Sequence, residues 1–164
     1  MYEIKITEKF CRYPQYFDTF SSCNRNFHIN KTKNNARWCG VCPKCAFVYT
    51  LMSAFLPQKK IIQIFGKNMF ADPSLKQLFQ ELLGISGIKP FECVGTNEEM
   101  ILAMYKYCQQ SKPETSETPI IKLFKSQVLT KMQESDFFAL EKKLTKIYTE
   151  YNIPKEIESK FLLS

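Results

Sequence analysis

The chain has 164 residues, of which 45% are hydrophobic, a composition that excludes an intrinsically disordered protein and suffices for a domain with its own core. Its 23 Lys and Arg against 16 Asp and Glu give a net charge of +7, which favours phosphate-bearing partners, although the charges form no long run. The longest apolar stretch, at 46–56, is shorter than the roughly 20 residues that cross a bilayer, and the N-terminus lacks an apolar signal core, so we expect a cytoplasmic protein without membrane association.

The first segment of the chain is the one fair candidate for a strand. YEIKI at 2–6 alternates polar and apolar residues, which is the pattern of a half-buried strand. Alternation of this kind is scarce in the rest of the sequence. We therefore expect a mainly α chain.

The next segment combines cysteines with basic residues. The stretch 25–44, RNFHINKTKNNARWCGVCPK, contains no acidic residue, so an anion would bind there. It includes Cys39 and Cys42, and Cys45 follows directly. Because cytoplasmic thiols stay reduced, clustered cysteines indicate metal ligands before disulfides. The odd total of seven cysteines also argues against a complete set of disulfides.

Zinc is the ion that this spacing favours. A structural zinc takes four ligands in a tetrahedron, and a Cys-x2-Cys loop lets two sulfurs reach one ion. The closely spaced ligands are Cys39, Cys42 and Cys45. We expect Cys23 to be the fourth, with His28 as the alternative. An iron–sulfur cluster is disfavoured because Tyr49 stands where the ferredoxin pattern has its fourth cysteine, and buried thiols without an ion are a third interpretation.

Helix signals dominate the middle of the chain. Asp72 as N-cap, Pro73 at the first helical position and Gly84 as the end predict a helix at 72–84. Thr96 and Glu99 have the spacing of a capping box, which predicts the start of a second helix.

Two further helices are predicted after a linker. QQSKPETSETP is polar and contains two prolines, which indicates a loop. We therefore divide the chain into a helical domain with the zinc knuckle at 1–110, a linker at 111–119 and a C-terminal helical segment at 120–164. In that segment one helix is expected after Thr118 and Pro119, and another from Ser135 to Asn152.

Four strings in this order resemble one enzyme family: FSSCNRNFHI, RWCGVCPKCAFVYTLMSAFLP, IFGKNMFADPSLKQLFQELLG and KPFECVG. They are similar to the C-terminal half of the UDP-N-acetylmuramoyl-L-alanyl-L-glutamate epimerases, bacterial enzymes that invert the terminal L-glutamate of a peptidoglycan precursor. The separated cysteine followed by CGVCPKC also resembles the zinc site of PP-loop ATP pyrophosphatases. The resemblance is dense from about Phe10 to Cys108. It implies that this mainly α chain with a zinc knuckle is the C-terminal part of a larger α/β PP-loop enzyme.

The resemblance also implies the chemistry of the complete enzyme, which would use ATP and Mg²⁺ to activate the glutamate as an acyl adenylate. In that adenylate the carbonyl can delocalise the carbanion left when the α-proton is removed. The loop GIKPFECVG holds a lysine, a carboxylate and a thiol. Glu92 and Cys93 are the candidates for proton transfer. Lys89, Arg25 and Arg37 are the candidate partners for phosphate or for the glutamate carboxylate.

The chain departs from the family in one respect. The family carries a Ser-Gly-Gly-x-Asp-Ser phosphate loop, and none of the five glycines here lies in such a setting. Because the backbone amides of a glycine-rich turn bind pyrophosphate, we expect no adenylation by this chain alone. The expected partners are a separately encoded or missing N-terminal nucleotide-binding half and the UDP-sugar dipeptide substrate.

Two other classes of protein stay open. A zinc module with Phe27, Trp38 and Phe47 among basic residues could bind single-stranded nucleic acid by stacking and phosphate contacts, although nucleic acid is the less expected partner. The chain could also be a non-catalytic interaction subunit that completes an enzyme supplied in trans.

Overall fold

The computed structural model describes residues 1–27, 36–90, 94–110, 117–147 and 154, and over these ranges the regular structure is helical, with no strand. The α-helices are α1 (Glu3–Phe10), α2 (Pro43–Ser53), α3 (Gln58–Phe65), α4 (Lys76–Leu83), α5 (Asn97–Gln110), α6 (Pro119–Gln127) and α7 (Glu134–Leu144). The expectation of a mainly α chain is confirmed. Among the described helices, none combines the length and the apolar character needed to cross a bilayer.

Helix α2 is the centre of the core. Phe47, Thr50 and Leu51 are buried, and the Thr50 hydroxyl donates a hydrogen bond to the carbonyl of Ala46 at 2.8 Å. Helices α1, α3, α4 and α5 pack around α2. Because every face of α2 is covered, its sequence lacks the alternation of polar and apolar faces that indicates a helix. The sequence analysis therefore found an apolar stretch here without predicting the helix.

Helix α6 begins as predicted, whereas α4 begins at Lys76, after a 3-10 turn whose N-cap is the predicted Asp72. Asp72 accepts a hydrogen bond from the N–H of Ser74 at 3.0 Å and starts a 3-10 turn that continues into α4. Gly84 ends α4 in the left-handed conformation, with φ of 71°, which glycine adopts at little cost. Helix α6 follows Thr118 and has Pro119 in its first turn.

The candidate strand at 2–6 is wrong, because helix α1 begins at Glu3 and Tyr2 is its N-cap. An N–H group in the first turn of a helix has no partner within the helix. Here the N–H of Ile4 donates to Oε1 of Glu99 at 3.0 Å, and the Ile4 side chain is buried. The contact that stabilises this helix start thus comes from a residue distant in sequence, which a five-residue pattern cannot reveal.

The capping box predicted at the start of α5 is confirmed. The N–H of Glu99 donates to Oγ1 of Thr96 at 3.2 Å, and the N–H of Thr96 donates to Oε2 of Glu99 at 2.7 Å. Glu99 therefore uses one carboxylate oxygen to cap its own helix and the other to bind α1.

Helix α7 differs from its prediction at both ends. It begins before Ser135, because Gln133 and Asp136 form a capping box. It ends at Leu144, short of the predicted end at Asn152. The last five residues of the predicted helix lie outside the part of the chain that the structure describes.

The two C-terminal helices pack on the earlier ones: α6 contacts α4, and α7 contacts α5. The rings of Tyr105 and Phe137 are stacked, with centroids 3.8 Å apart and planes inclined by 4°. Lys106 of α5 also forms an ion pair with Glu141 of α7. Most of the predicted linker, 111–116, is not among the described residues. The division of the chain into a domain, a linker and a C-terminal segment stays a prediction.

Candidate metal centre and the adjoining loop

Four cysteines lie together at the start of α2. The sulfur atoms of Cys23, Cys39, Cys42 and Cys45 all lie within 4.8 Å of one another, and those of Cys39 and Cys45 are 3.7 Å apart. Around a zinc ion with Zn–S bonds of about 2.3 Å, the corners of the sulfur tetrahedron are about 3.8 Å apart. The four thiols predicted as ligands are thus brought together at a spacing that fits one such ion. The alternative ligand, His28, lies outside the described residues.

The local backbone turns N–H groups toward the sulfurs. Cys42 is the N-cap of α2, and its sulfur accepts a hydrogen bond from the N–H of Cys45 at 3.4 Å. Pro43 occupies the first helical turn, where a missing N–H costs nothing. The sulfur of Cys23 accepts from the N–H of Cys39 at 3.4 Å. Helix N-termini and N–H donors favour the thiolate form, which is the form that binds metal ions.

Hydrogen bonding among the thiols separates their pKa values. The thiol of Cys45 hydrogen-bonds to Cys42 and, with the backbone of Cys45, lowers the pKa of Cys42 to about 4. The same hydrogen bond, together with burial, raises the pKa of Cys45, and burial raises the pKa of Cys39. A cation that coordinates thiols removes their protons. Binding of an ion at this cluster therefore competes with protons and depends on pH.

Lys67 lies across the turn that contains Gly40. A Cβ atom on Gly40 would lie 2.7 Å from Cε of Lys67, and the φ of Gly40 is 65°. The Lys67 ammonium is 2.8 Å from Oδ2 of Asp72. The hydrogen bond from Lys67, followed by that from Ser74, lowers the pKa of Asp72 to about 2. The left-handed backbone conformation therefore favours glycine at position 40, whereas the contacting atoms of Lys67 are the end of a flexible side chain that can shift.

Trp38 packs between two other aromatic rings. Its ring centroid is 5.2 Å from that of Phe20 and 4.5 Å from that of Phe65 in α3, and its side chain is buried. Among the described residues, the indole Nε1 has no hydrogen-bond partner. A cavity of about 480 Å³ adjoins Trp38, with Asn26 and Arg37 also in its lining. These ring contacts connect Phe20 and Trp38, which precede Cys23 and Cys39 in the sequence, to helix α3.

The two arginines predicted to bind anions have different surroundings. Arg37 is half-buried; its Nη1 donates to the carbonyl of Phe17 at 2.7 Å, and its Nη2 is 3.8 Å from Oδ1 of Asp18. Arg25 is exposed on the 3-10 turn Asn24–Phe27, two residues after Cys23. Arg37 therefore fixes the segment that contains Phe17 and Asp18. Arg25, by contrast, is exposed to solvent close in sequence to the cysteine cluster.

The two residues predicted to transfer protons, Glu92 and Cys93, fall in a gap of the described structure. Lys89, which precedes them, donates hydrogen bonds to the carbonyl of Val94 at 3.1 Å and to the carbonyl of Gly95. The ammonium predicted to bind substrate is thus engaged with its own loop.

Gly95 and Glu99 adjoin this loop, and the sequence analysis assigned neither to a site. A Cβ atom on Gly95 would clash with Oε2 of Glu99 and would lie 2.5 Å from Cζ of Phe47. Glu99 is 1% exposed, so its carboxylate is fixed within the core. The capping-box spacing locates Glu99 at a helix start, but nothing in the sequence indicates its burial or the close approach at Gly95.

A family model and three curated relatives agree on the family of this chain. The family model described as MurL C-terminal domain matches residues 19–138. The UDP-N-acetyl-alpha-D-muramoyl-L-alanyl-L-glutamate epimerase of Xanthomonas oryzae pv. oryzae is 37% identical over 134 residues, which cover 82% of this chain and 29% of that protein. No solved structure matches the chain.

Two further relatives carry the same name. The epimerase of Salinispora tropica is 40% identical over 109 residues, which are 66% of this chain and 23% of the relative. That of a Micromonospora species is 38% identical over 110 residues, which are 67% of this chain and 24% of the relative. The chain thus spans less than a third of the length of the curated relatives it matches. Because the family match includes the cysteine cluster, the loop after Lys89 and helices α2 to α6, the chain belongs to the MurL C-terminal domain family.

Proposed function

We propose that this chain is the C-terminal part of an epimerase that converts the terminal L-glutamate of UDP-N-acetylmuramoyl-L-alanyl-L-glutamate to D-glutamate in peptidoglycan precursor synthesis. The family match over 19–138 carries the proposal, and the names of the three relatives supply the substrate. A nucleotide-binding half of the PP-loop type would be the partner of this chain and would bind ATP and Mg²⁺. The chain by itself would be inactive.

The proposed chemistry has three steps: activation, epimerisation and hydrolysis. The glutamyl carboxylate first displaces pyrophosphate from ATP and becomes a mixed anhydride with AMP, which removes the negative charge that opposes loss of the α-proton. A base then takes the α-proton of the adenylate and leaves a carbanion, and an acid returns a proton to the opposite face. Water finally hydrolyses the mixed anhydride, which releases AMP and the free D-glutamyl carboxylate. Glu92 and Cys93 are the proposed proton carriers. Arg25, exposed in the basic segment, is the proposed partner of a substrate phosphate or carboxylate.

The activity test compares the chain alone, a nucleotide-binding half alone, and the two combined. The measurements are ATP-dependent pyrophosphate release and D-glutamate formation from the UDP-sugar dipeptide. We expect both only in the combination. Turnover by the chain alone would place the nucleotide site within it, and a folded combination without turnover would overturn the proposal.

Solvent deuterium tests the proton carriers in the combined enzyme. General acid–base catalysis contributes about 10²–10⁴-fold, so Glu92→Gln or Cys93→Ser should slow deuterium entry at the α-carbon by about a hundredfold or more. Adenylate formation should persist, since activation precedes proton removal. Glu117→Gln and Cys108→Ser are the matched controls. Parent rates of exchange in both Glu92→Gln and Cys93→Ser would remove these residues from the mechanism.

The second part of the proposal is one structural zinc ion held by Cys23, Cys39, Cys42 and Cys45. Four cysteine sulfurs supply the number of ligands that a tetrahedral zinc site takes, so His28 is not needed as a ligand. An iron–sulfur cluster would separate its thiolates more widely, because several iron and sulfide ions lie between them. A site built from reduced thiols also favours the cytoplasm as the compartment.

Metal analysis of protein purified under reducing conditions without chelator should find one zinc per chain. Cys42→Ser should lose the zinc and unfold far more readily, since structural zinc contributes about 10–16 kcal/mol in small metal-folded domains. Cys108→Ser, which lies outside the cluster, should keep it. Iron in place of zinc, or no metal at all, would refute the assignment.

A further inference from the structure

One thiol of the cysteine cluster differs from the other three in its exposure to solvent. Cys23, Cys42 and Cys45 are buried. Cys39, by contrast, is half-buried, so an oxidant dissolved in water reaches it more easily than the others. The thiolate is the reactive form of cysteine, and a cation that coordinates sulfur keeps it deprotonated. Oxidation of the cluster would therefore start at Cys39.

A second thiol lies close enough to form a disulfide with Cys39. The sulfur of Cys45 is 3.7 Å away, and a disulfide bond is about 2.05 Å long, so the two sulfurs need to approach by about 1.7 Å. Cys45 belongs to the first turn of α2, whereas Cys39 precedes the helix and lies outside regular structure. Redox-sensitive cysteines typically pair an accessible thiolate with a neighbouring thiol that resolves the oxidised intermediate.

We propose that Cys39 is an oxidation site, at which a hydroperoxide links Cys39 to Cys45 and so empties the metal centre. The inference rests on the proposed zinc site, since both residues are ligands of that ion. The Cys39 thiolate attacks an oxygen of hydrogen peroxide, the O–O bond breaks, and hydroxide leaves, so that a sulfenic acid forms. The Cys45 thiolate then attacks this sulfur and displaces a second hydroxide. Together the two sulfurs lose the two electrons that the peroxide gains.

The disulfide removes half of the ligand set. Only Cys23 and Cys42 remain as thiolates, whereas a structural zinc takes four ligands. Cys42 is the N-cap of α2, the central helix of the core, so loss of the ion loosens the start of that helix. In the complete enzyme a hydroperoxide would therefore stop epimerisation until a dithiol reduces the bond and zinc binds again.

The zinc-loaded chain, treated with hydrogen peroxide, tests the proposal without substrate or partner. A zinc-binding dye measures the released ion, and dimedone traps the sulfenic acid for mass spectrometry. We expect one zinc ion released for each disulfide formed, and the dimedone adduct on Cys39. Dithiothreitol with added zinc should restore the bound zinc. Adducts on the buried cysteines instead of Cys39 would contradict the proposed order of oxidation.

Trypsin separates the possible disulfides. Cleavage after Arg37 and Lys44 leaves Cys39 and Cys42 in the peptide 38–44, and Cys45 begins the peptide 45–59. The expected bond joins these two peptides and leaves Cys42 free for alkylation. A bond within 38–44, a bond from Cys42 to 45–59, or a bond to the peptide 13–25, which contains Cys23, would overturn the inference if it were the main product.

Two histidine variants test Cys39 while keeping a zinc ligand at the changed position, because structural zinc also takes three cysteines and one histidine. Cys39→His lacks the exposed thiol and should slow peroxide-driven zinc release by about tenfold or more. Cys23→His keeps Cys39 and Cys45 and should release zinc at the parent rate, as should Cys108→Ser, which lies outside the cluster. Equal slowing in both histidine variants would overturn the role of Cys39. If neither holds zinc, the peptide map of the parent decides.

The zinc site and its oxidation fail in different ways. Protein that is purified in reduced form and contains no zinc would refute both. Zinc that stays bound through peroxide treatment, or that leaves without a bond between Cys39 and Cys45, would refute the oxidation site and leave the zinc site standing.

Discussion

Replacement of Glu99 by glutamine should destabilise the protein, because its buried carboxylate accepts three hydrogen bonds. The donors are the N–H of Thr96 at 2.7 Å, the hydroxyl of Thr96 at 3.1 Å and the N–H of Ile4 at 3.0 Å. A glutamine amide keeps one accepting oxygen and places an NH₂ group where the other oxygen was. One buried N–H, either of Thr96 or of Ile4, must then face a donor.

The expected cost follows from these contacts. Hydrogen bonds to charged groups contribute about 1.5–3 kcal/mol, and a buried donor left unpaired costs about 1–3 kcal/mol, so Glu99→Gln should lower the free energy of unfolding by about 2–4 kcal/mol. In a chain of this length each kcal/mol corresponds to about 2–4 °C in Tm. The neighbour Glu98 is the matched control: it is 41% exposed and pairs with Lys143 at 2.6 Å. Glu98→Gln should cost at most about 1 kcal/mol.

Urea unfolding with linear extrapolation measures the free energy of unfolding of each variant and of the parent. Amide exchange at Ile4 locates it, because this N–H should lose protection in Glu99→Gln and keep it in Glu98→Gln. Equal effects of the two substitutions, with Ile4 still protected, would show that the carboxylate does not join α1 to α5.

Gly40→Ala should lower the free energy of unfolding, measured with urea, by about 1–2 kcal/mol, because alanine is disfavoured in the left-handed backbone conformation while the flexible end of Lys67 can move aside. The pKa of Asp72 is lowered from 3.8 to about 2, so its carboxylate stabilises the folded state above pH 3.8 and this contribution is lost as pH falls toward 2; Asp72→Asn should flatten the change in Tm over that interval. Burial, followed by the charge of Glu8, raises the pKa of Cys11 to about 12, so mass spectrometry should find Cys11 unmodified by iodoacetamide at neutral pH in the folded protein and modified in urea.

Elements whose ends are fixed by nearby residues could be predicted from the sequence. Asp72 starts the 3-10 turn before α4, and Gly84 ends α4, both through contacts within a few residues; Thr96 with Glu99 caps α5 in the same way. Helix α1 could not be predicted, because Tyr2 provides no side-chain cap and the acceptor for its first turn is distant in sequence. Helix α2 was missed for another reason: a helix covered on all sides has no polar face to mark its period.

In the candidate site, too, local sequence patterns could be predicted and contacts between distant residues could not. The spacing of Cys39, Cys42 and Cys45 is a local signal, and it predicted a cluster that the structure brings together with Cys23. The surroundings of Gly95 combine the Phe47 ring from α2, the ammonium of Lys89 and the buried carboxylate of Glu99, three contacts that form only on folding. Sequence could name Lys89 as a cation near the loop, but not the carbonyls that it binds.

Trp38 gives this protein a built-in optical reporter. It is the one tryptophan of the sequence, so all emission excited at its red absorption edge comes from a single indole. That indole is 4% exposed, lies between the rings of Phe20 and Phe65, and precedes Cys39 directly in the chain. Unfolding of the region around Trp38 and Cys39 would expose the indole to water and shift its emission to longer wavelength. Unfolding of α7 alone would leave the emission unchanged. Fluorescence therefore follows the cysteine cluster, and circular dichroism follows the helices, within the same sample.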